Sequence, residues 1–134
     1  MQLITTKTYP FFGTKLVNIE NLNLKKHSLS RMKERGINKK EVIQNIKYGV
    51  AYDASSIKKG RILVINNKAQ EGVLSQKNTI ILIDNKQEPQ LVTVMNPSRN
   101  KWICCKNEDG ELGILDTHKK EFYPILPEPS DSQG

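Results

Sequence analysis

The stretch His27-Ser-Leu-Ser-Arg31-Met32-Lys-Glu-Arg35-Gly36-Ile37, with Asn38-Lys-Lys-Glu41-Val42-Ile43 directly behind it, decides how the 134-residue chain is read. Leu29 and Met32, three residues apart, set an apolar stripe on a helix from about Leu24 to Arg35, and Gly36 is placed to end it in a left-handed cap. Asn38 and Glu41 match a capping box, and Val42, Ile43 and Ile46 then supply the buried face of a second helix that stops at Gly49.

Beyond Gly49 the texture changes to short apolar runs at 61–65, 79–83, 91–95, 102–105 and 112–115, which read as strands. The connections at 66–78, 84–90 and 106–111 are polar and carry Gly, Asn, Asp or Pro, as hairpin loops do. No ten-residue helical pattern separates the runs, so crossover units and a parallel sheet are not expected. The expected class is α+β, with two N-terminal helices packed on a four- to five-stranded antiparallel sheet. Ahead of the helices, Pro10-Phe-Phe-Gly13 breaks any helix, and residues 1–22 read as extended or irregular. The closing residues 127–134 contain no apolar side chain and read as a disordered tail, leaving one domain over 1–126.

A 15.3 kDa chain with 37% hydrophobic content suits one core and needs no disulfide or structural metal. Cys104 and Cys105 are adjacent, with Cα atoms about 3.8 Å apart, below the usual disulfide range of roughly 4.4 to 6.8 Å. Free thiols in a reducing cytoplasm, of the producing cell or of a target cell, are the simplest expectation. No run reaches 18 apolar residues, and Met-Gln-Leu-Ile-Thr-Thr-Lys lacks the profile of a signal peptide, so no membrane partner is expected.

The net charge of +7 is unevenly placed. Residues 21–40 hold seven basic side chains against Glu34 alone, whereas residues 41–134 hold 12 basic and 12 acidic side chains and cancel. Residues 101–134 carry four basic against seven acidic. Such polarisation points to nucleic acid, with Lys25, Lys26, Arg31, Lys33, Arg35 and Lys39 as its contacts; the plain alternative is a solvated helix face.

At 100° per residue, His27, Arg31 and Arg35 fall within about 80° of one another on the first helix. An imidazole exchanges protons near neutral pH, and guanidiniums grip phosphate oxygens in pairs, so this face suits phosphodiester chemistry. His118, in a polar turn, reads as solvent-facing, and Trp102, Tyr48, Phe122 and Tyr123 read as packing residues before base-stacking ones. Two histidines and one adjacent cysteine pair make a poor zinc site, so neither metal nor other cofactor is expected. No phosphate-cradling glycine loop, nucleophile elbow or active-site carboxylate pair appears, which argues against NTPase, serine hydrolase and glycosidase chemistry.

The pattern His27, Arg31-Met32, Arg35-Gly36-Ile37, then a second helix and a sheet, resembles a family of small bacterial RelE-like toxin domains. That family is grouped with the barnase, EndoU and colicin-type ribonuclease fold, in which helices pack on a four- or five-stranded antiparallel sheet and metal-independent RNA cleavage is common. The resemblance runs from about Leu22 to Asn96 and includes the strand Leu91-Val-Thr-Val-Met95. It implies a catalytic set of His27, Arg31, Arg35 and Thr93, and an endoribonuclease that leaves 2′,3′-cyclic phosphate ends. It further implies a toxin of a toxin–antitoxin or delivered-toxin system, with RNA as substrate and an acidic antitoxin or immunity protein as partner. Residues 97–126 stand outside the resemblance as an extension. The alternative is a regulatory or nucleic-acid-binding module that uses the basic helix 24–35 without cleaving.

Overall fold

The computed structural model describes residues 17–97 and 101–126. The expectations for residues 1–16 and for the tail 127–134 lie outside the described residues. A 3-10 turn at Ile19–Asn21 leads into β1 (Asn23–Leu24), α1 (Lys26–Arg35) and α2 (Lys39–Tyr48). β2 (Val50–Asp53), β3 (Arg61–Ile65), β4 (Gly72–Val73), β5 (Ile80–Asp84) and β6 (Gln90–Met95) follow, then β7 (Trp102–Lys106), β8 (Leu112–Asp116) and β9 (Glu121–Pro124).

Both helices end where local chemistry says they should. Gly36 takes φ of 67° and its N–H returns to the carbonyls of Lys33 and Met32, closing α1 in a left-handed cap that other residues enter at a cost. The Asn38 side chain accepts from the Glu41 amide at 2.8 Å, and the Glu41 carboxylate accepts from the Asn38 amide at 3.1 Å. The buried stripe of α1 differs from the expected one: it consists of Ser28 and Met32, at i and i+4, while Leu29 is 48% exposed.

The strands form two sheets, where one antiparallel sheet was expected. The first has the order β1-β6-β5-β3-β2, and it is mixed, because β1 runs parallel to β6 through Asn23↔Gln90 and Leu24↔Leu91. The parallel pair arises because the chain leaves β1 through two helices and four strands before returning beside it, a connection long enough for a crossover. The second sheet, β4-β7-β8-β9, takes most of its strands from the stretch read as an extension.

Three layers result. Met32, Val42 and Ile46 of the helices pack on Ala51, Ile62, Val64, Ile81, Ile83, Leu91 and Val94. The opposite face of the same sheet, with Tyr52, Leu63, Ile65, Ile80 and Leu82, packs on Trp102, Cys104, Ile114 and Tyr123 of the second sheet. β3 and β5 are therefore buried on both faces, which is why their sequences are continuous apolar runs with no polar alternation. Ile125 bridges to Tyr52, and the Leu126 amide donates to the Ala51 carbonyl at 3.0 Å, tying the second sheet to the edge of the first.

A cationic cleft as the candidate nucleic-acid site

Ser28 fixes α1 against β6. Its side chain is buried, and its hydroxyl bonds to the carbonyl oxygens of Leu91 and, at 3.2 Å, of Val92. These are main-chain groups at a break in the ladder: β5 and β6 pair Leu82 with Thr93 but Ile83 with Leu91, leaving Val92 as the bulged residue. A bulge disturbs the ladder locally, and the single Ser28 hydroxyl proton is shared between these two carbonyls. His27, one residue earlier and about 100° around the helix, is exposed and lines a cleft of about 270 Å³ whose wall includes Ser28, Leu91 and Val92.

The remaining wall is a row of polar residues across three strands. Arg61 of β3 pairs with Asp84 of β5, which pairs with Gln90 of β6, and all three line the cleft. Arg61 Nε donates to Asp84 Oδ1 at 2.9 Å, and Lys58 Nζ stands 3.5 Å from Asp84 Oδ2. The Arg61 and Asp84 side chains are 15% and 16% exposed. The Arg61 hydrogen bond, helped by the charges of Arg61 and Lys58, holds the Asp84 carboxyl below its ordinary range, against burial. Lys25, Lys58 and Arg61, together with the His27 imidazole, thus face a single carboxylate among the residues lining the cleft.

The structure brings only part of the expected catalytic set to this place. His27 lines the cleft; Arg31, Arg35 and Thr93 do not. Arg31 and Arg35 lie one and two turns along α1, about 6 and 12 Å of helix axis away, and both are exposed. Arg31 Nη1 lies 3.6 Å from Glu34 Oε1, an exposed i,i+3 pair of little energetic weight. Three basic groups stepped one turn apart suit successive phosphates of a strand better than convergence on one phosphorus. Thr93 is half-buried across from Leu82, a member of the core between the sheets. Lys25, Lys26, Lys33 and Lys39 are exposed, with Lys25 at the cleft.

Lys58, Arg61, Asp84 and Gln90 escaped sequence reading. A usable signal was present: Arg61 opens one apolar run and Asp84 closes the next, and hairpin pairing puts such ends opposite each other as a cross-strand ion pair.

The other sequence candidates lie off the cleft, and Tyr48, expected to pack, is 62% exposed. His118 is exposed in the β8–β9 turn, where the Asp116 carboxylate accepts the His118 and Lys119 amides at 3.1 and 3.2 Å. Trp102 is buried and stacks on Tyr123 at 6.2 Å. Cys104 is buried and burial pushes its thiol pKa up, while Cys105 is partly exposed; both are free thiols. Burial likewise raises the Tyr52 phenol, whose hydroxyl donates to Asn67 Oδ1 at 2.9 Å. Among the described residues no cluster of His, Cys, Asp and Glu could hold a metal ion, and no helix is long and apolar enough to cross a membrane. Comparison with protein-family models, curated proteins and solved structures returned no match.

Proposed function

We propose that this domain binds RNA along α1 and cleaves it without a metal, as the toxin of a toxin–antitoxin or delivered-toxin system. The observation that supports this reading most is the position of His27: a proton-exchanging side chain on the wall of a cleft whose other charged groups are mainly cationic. The reaction is internal transesterification. The ribose 2′-oxygen attacks the adjacent phosphorus, the bond from phosphorus to the 5′-oxygen breaks, and the 2′-proton is lost while the 5′-oxygen gains one. His27 carries out one of these proton transfers, and the cations stabilise the extra charge on the phosphoryl oxygens. Arg31 and Arg35 hold neighbouring phosphates and set the register of the strand. An acidic antitoxin or immunity protein is the partner that would cover such a face.

The test is incubation of the purified chain with total cellular RNA in EDTA. The proposal expects fragments ending in 2′,3′-cyclic phosphate, and resistance when the residue at the cut site is 2′-deoxy. Binding without cleavage would favour a non-catalytic module, a reading to which the half-buried Thr93, off the cleft wall, lends some support.

A further inference from the structure

We infer that the cleft between the start of α1 and the Arg61–Asp84–Gln90 row is a phosphate-binding site, in which Lys58 and Arg61 grip the phosphoryl oxygens beside His27. The inference deepens the RNA-cleaving reading and rests on it for the identity of the natural ligand, a phosphodiester. Four observations converge. Arg61 is largely buried at the cleft and gives its Nε–H to Asp84; a guanidinium has five N–H donors, and the Nη hydrogens, for which the described residues show no partner, can pair with two oxygens of a tetrahedral phosphoryl group. Asp84 pins Arg61 and Lys58 side by side without neutralising both. Lys25, at the start of α1, adds a further cation to the cleft lining, and Gln90 adds an amide.

The fourth observation is a local rule that α1 breaks. Its N-cap is Lys25, with no side-chain cap, and its first turn holds no acidic residue but begins Lys26-His27. Cations at the positive end of a helix are unfavourable, and its leading N–H groups want an acceptor. α2, ten residues long like α1, follows the rule with Asn38 and Glu41. A departure of this kind is what a site for an anion leaves behind, because the same N–H groups and cations become favourable once an anion arrives. The positions beside His27 that hold the reacting phosphate are therefore Lys58 and Arg61, and not Arg31 and Arg35.

The test is a nuclear magnetic resonance titration of the full chain with inorganic phosphate, and separately with a 2′-deoxy dinucleotide that cannot be cleaved, at constant ionic strength maintained with chloride. Saturable shifts confined to His27, Ser28, Lys58, Arg61 and Gln90 are expected with both probes. The dinucleotide should bind tighter if the natural ligand is a diester; tighter binding of inorganic phosphate would overturn that identity. Lys58→Ala, at an exposed position, and Arg61→Lys, which keeps the charge beside Asp84, should each weaken binding about tenfold, while Lys119→Ala, an exposed lysine off the cleft wall, should leave it within about twofold. Shifts centred on Arg31 and Arg35, or affinity unchanged in both cleft variants, would overturn the inference. Phosphate capture in the cleft by a chain that leaves RNA intact would remove the ribonuclease reading and keep the site. RNA cleavage that depends on His27 but is indifferent to Lys58→Ala and Arg61→Lys would do the reverse.

Discussion

Replacing Ser28 by alanine tests how the candidate site is held. The hydroxyl is buried and bonds to the Leu91 and Val92 carbonyls at the β6 bulge, so its loss removes the side-chain link between α1 and β6 and leaves the buried Leu91 acceptor without it. Losing one buried hydrogen bond and leaving its partner unsatisfied costs about 1–3 kcal/mol. Helix propensity works slightly the other way, by a few tenths of a kcal/mol in favour of alanine. The net expectation is about 2 kcal/mol of destabilisation, or a fall in thermal midpoint of roughly 6 °C for a domain of this size. Urea unfolding should show a lower midpoint with an unchanged slope, since the surface exposed on unfolding is the same. Ser30→Ala, on the exposed side of the same helix, should stay within about 0.5 kcal/mol of wild type. A Ser28→Ala cost below about 0.5 kcal/mol would show that the hydroxyl does not anchor α1, and with it the argument that Ser28 places His27 would fall.

Three further outcomes follow from the same geometry. A Cβ at Gly113 would lie 2.5 Å from the Tyr123 carbonyl and from the Phe122 ring; Gly113→Ala should cost about 2 kcal/mol or more by overpacking, read by urea unfolding. Asp84 has a folded pKa below its unfolded value, so its contribution is complete above the ordinary carboxylate range and is lost as pH falls through the folded value; stability measured below about pH 4 should fall less steeply in Asp84→Asn than in wild type. Neutralising Lys25, Lys26, Arg31 and Arg35 together should flatten the dependence of log RNA affinity on log salt, and an unchanged slope would mark the basic cluster as a solvated face.

What the sequence made legible was local. The capping box at Asn38 and Glu41, the glycine cap at Gly36 and the apolar runs at β3, β5 and β6 each carry their signal within a few residues. The errors came from partners far along the chain. Ser28 is buried in place of Leu29 because a bulge some 63 residues away offers it carbonyls, and no periodicity on α1 reports that. β1 and β4 are two residues long, too short for an alternation to register. The second sheet did leave a trace in the unbroken apolar runs of β3 and β5, which require cover on both faces. In the candidate site, helical spacing put His27, Arg31 and Arg35 on one face, but only the cross-strand row of Arg61, Asp84 and Gln90 shows which of them borders a cleft.

The most direct test of the central claim compares wild type with His27→Ala in EDTA, measuring single-turnover cleavage of one RNA at protein concentrations matched for occupancy. His27 is exposed and outside the α1 core stripe, so the variant should fold and bind as wild type does. Removing a group that transfers a proton in the transition state should lower the rate by about 10² to 10⁴. Equal rates at equal occupancy would contradict the account.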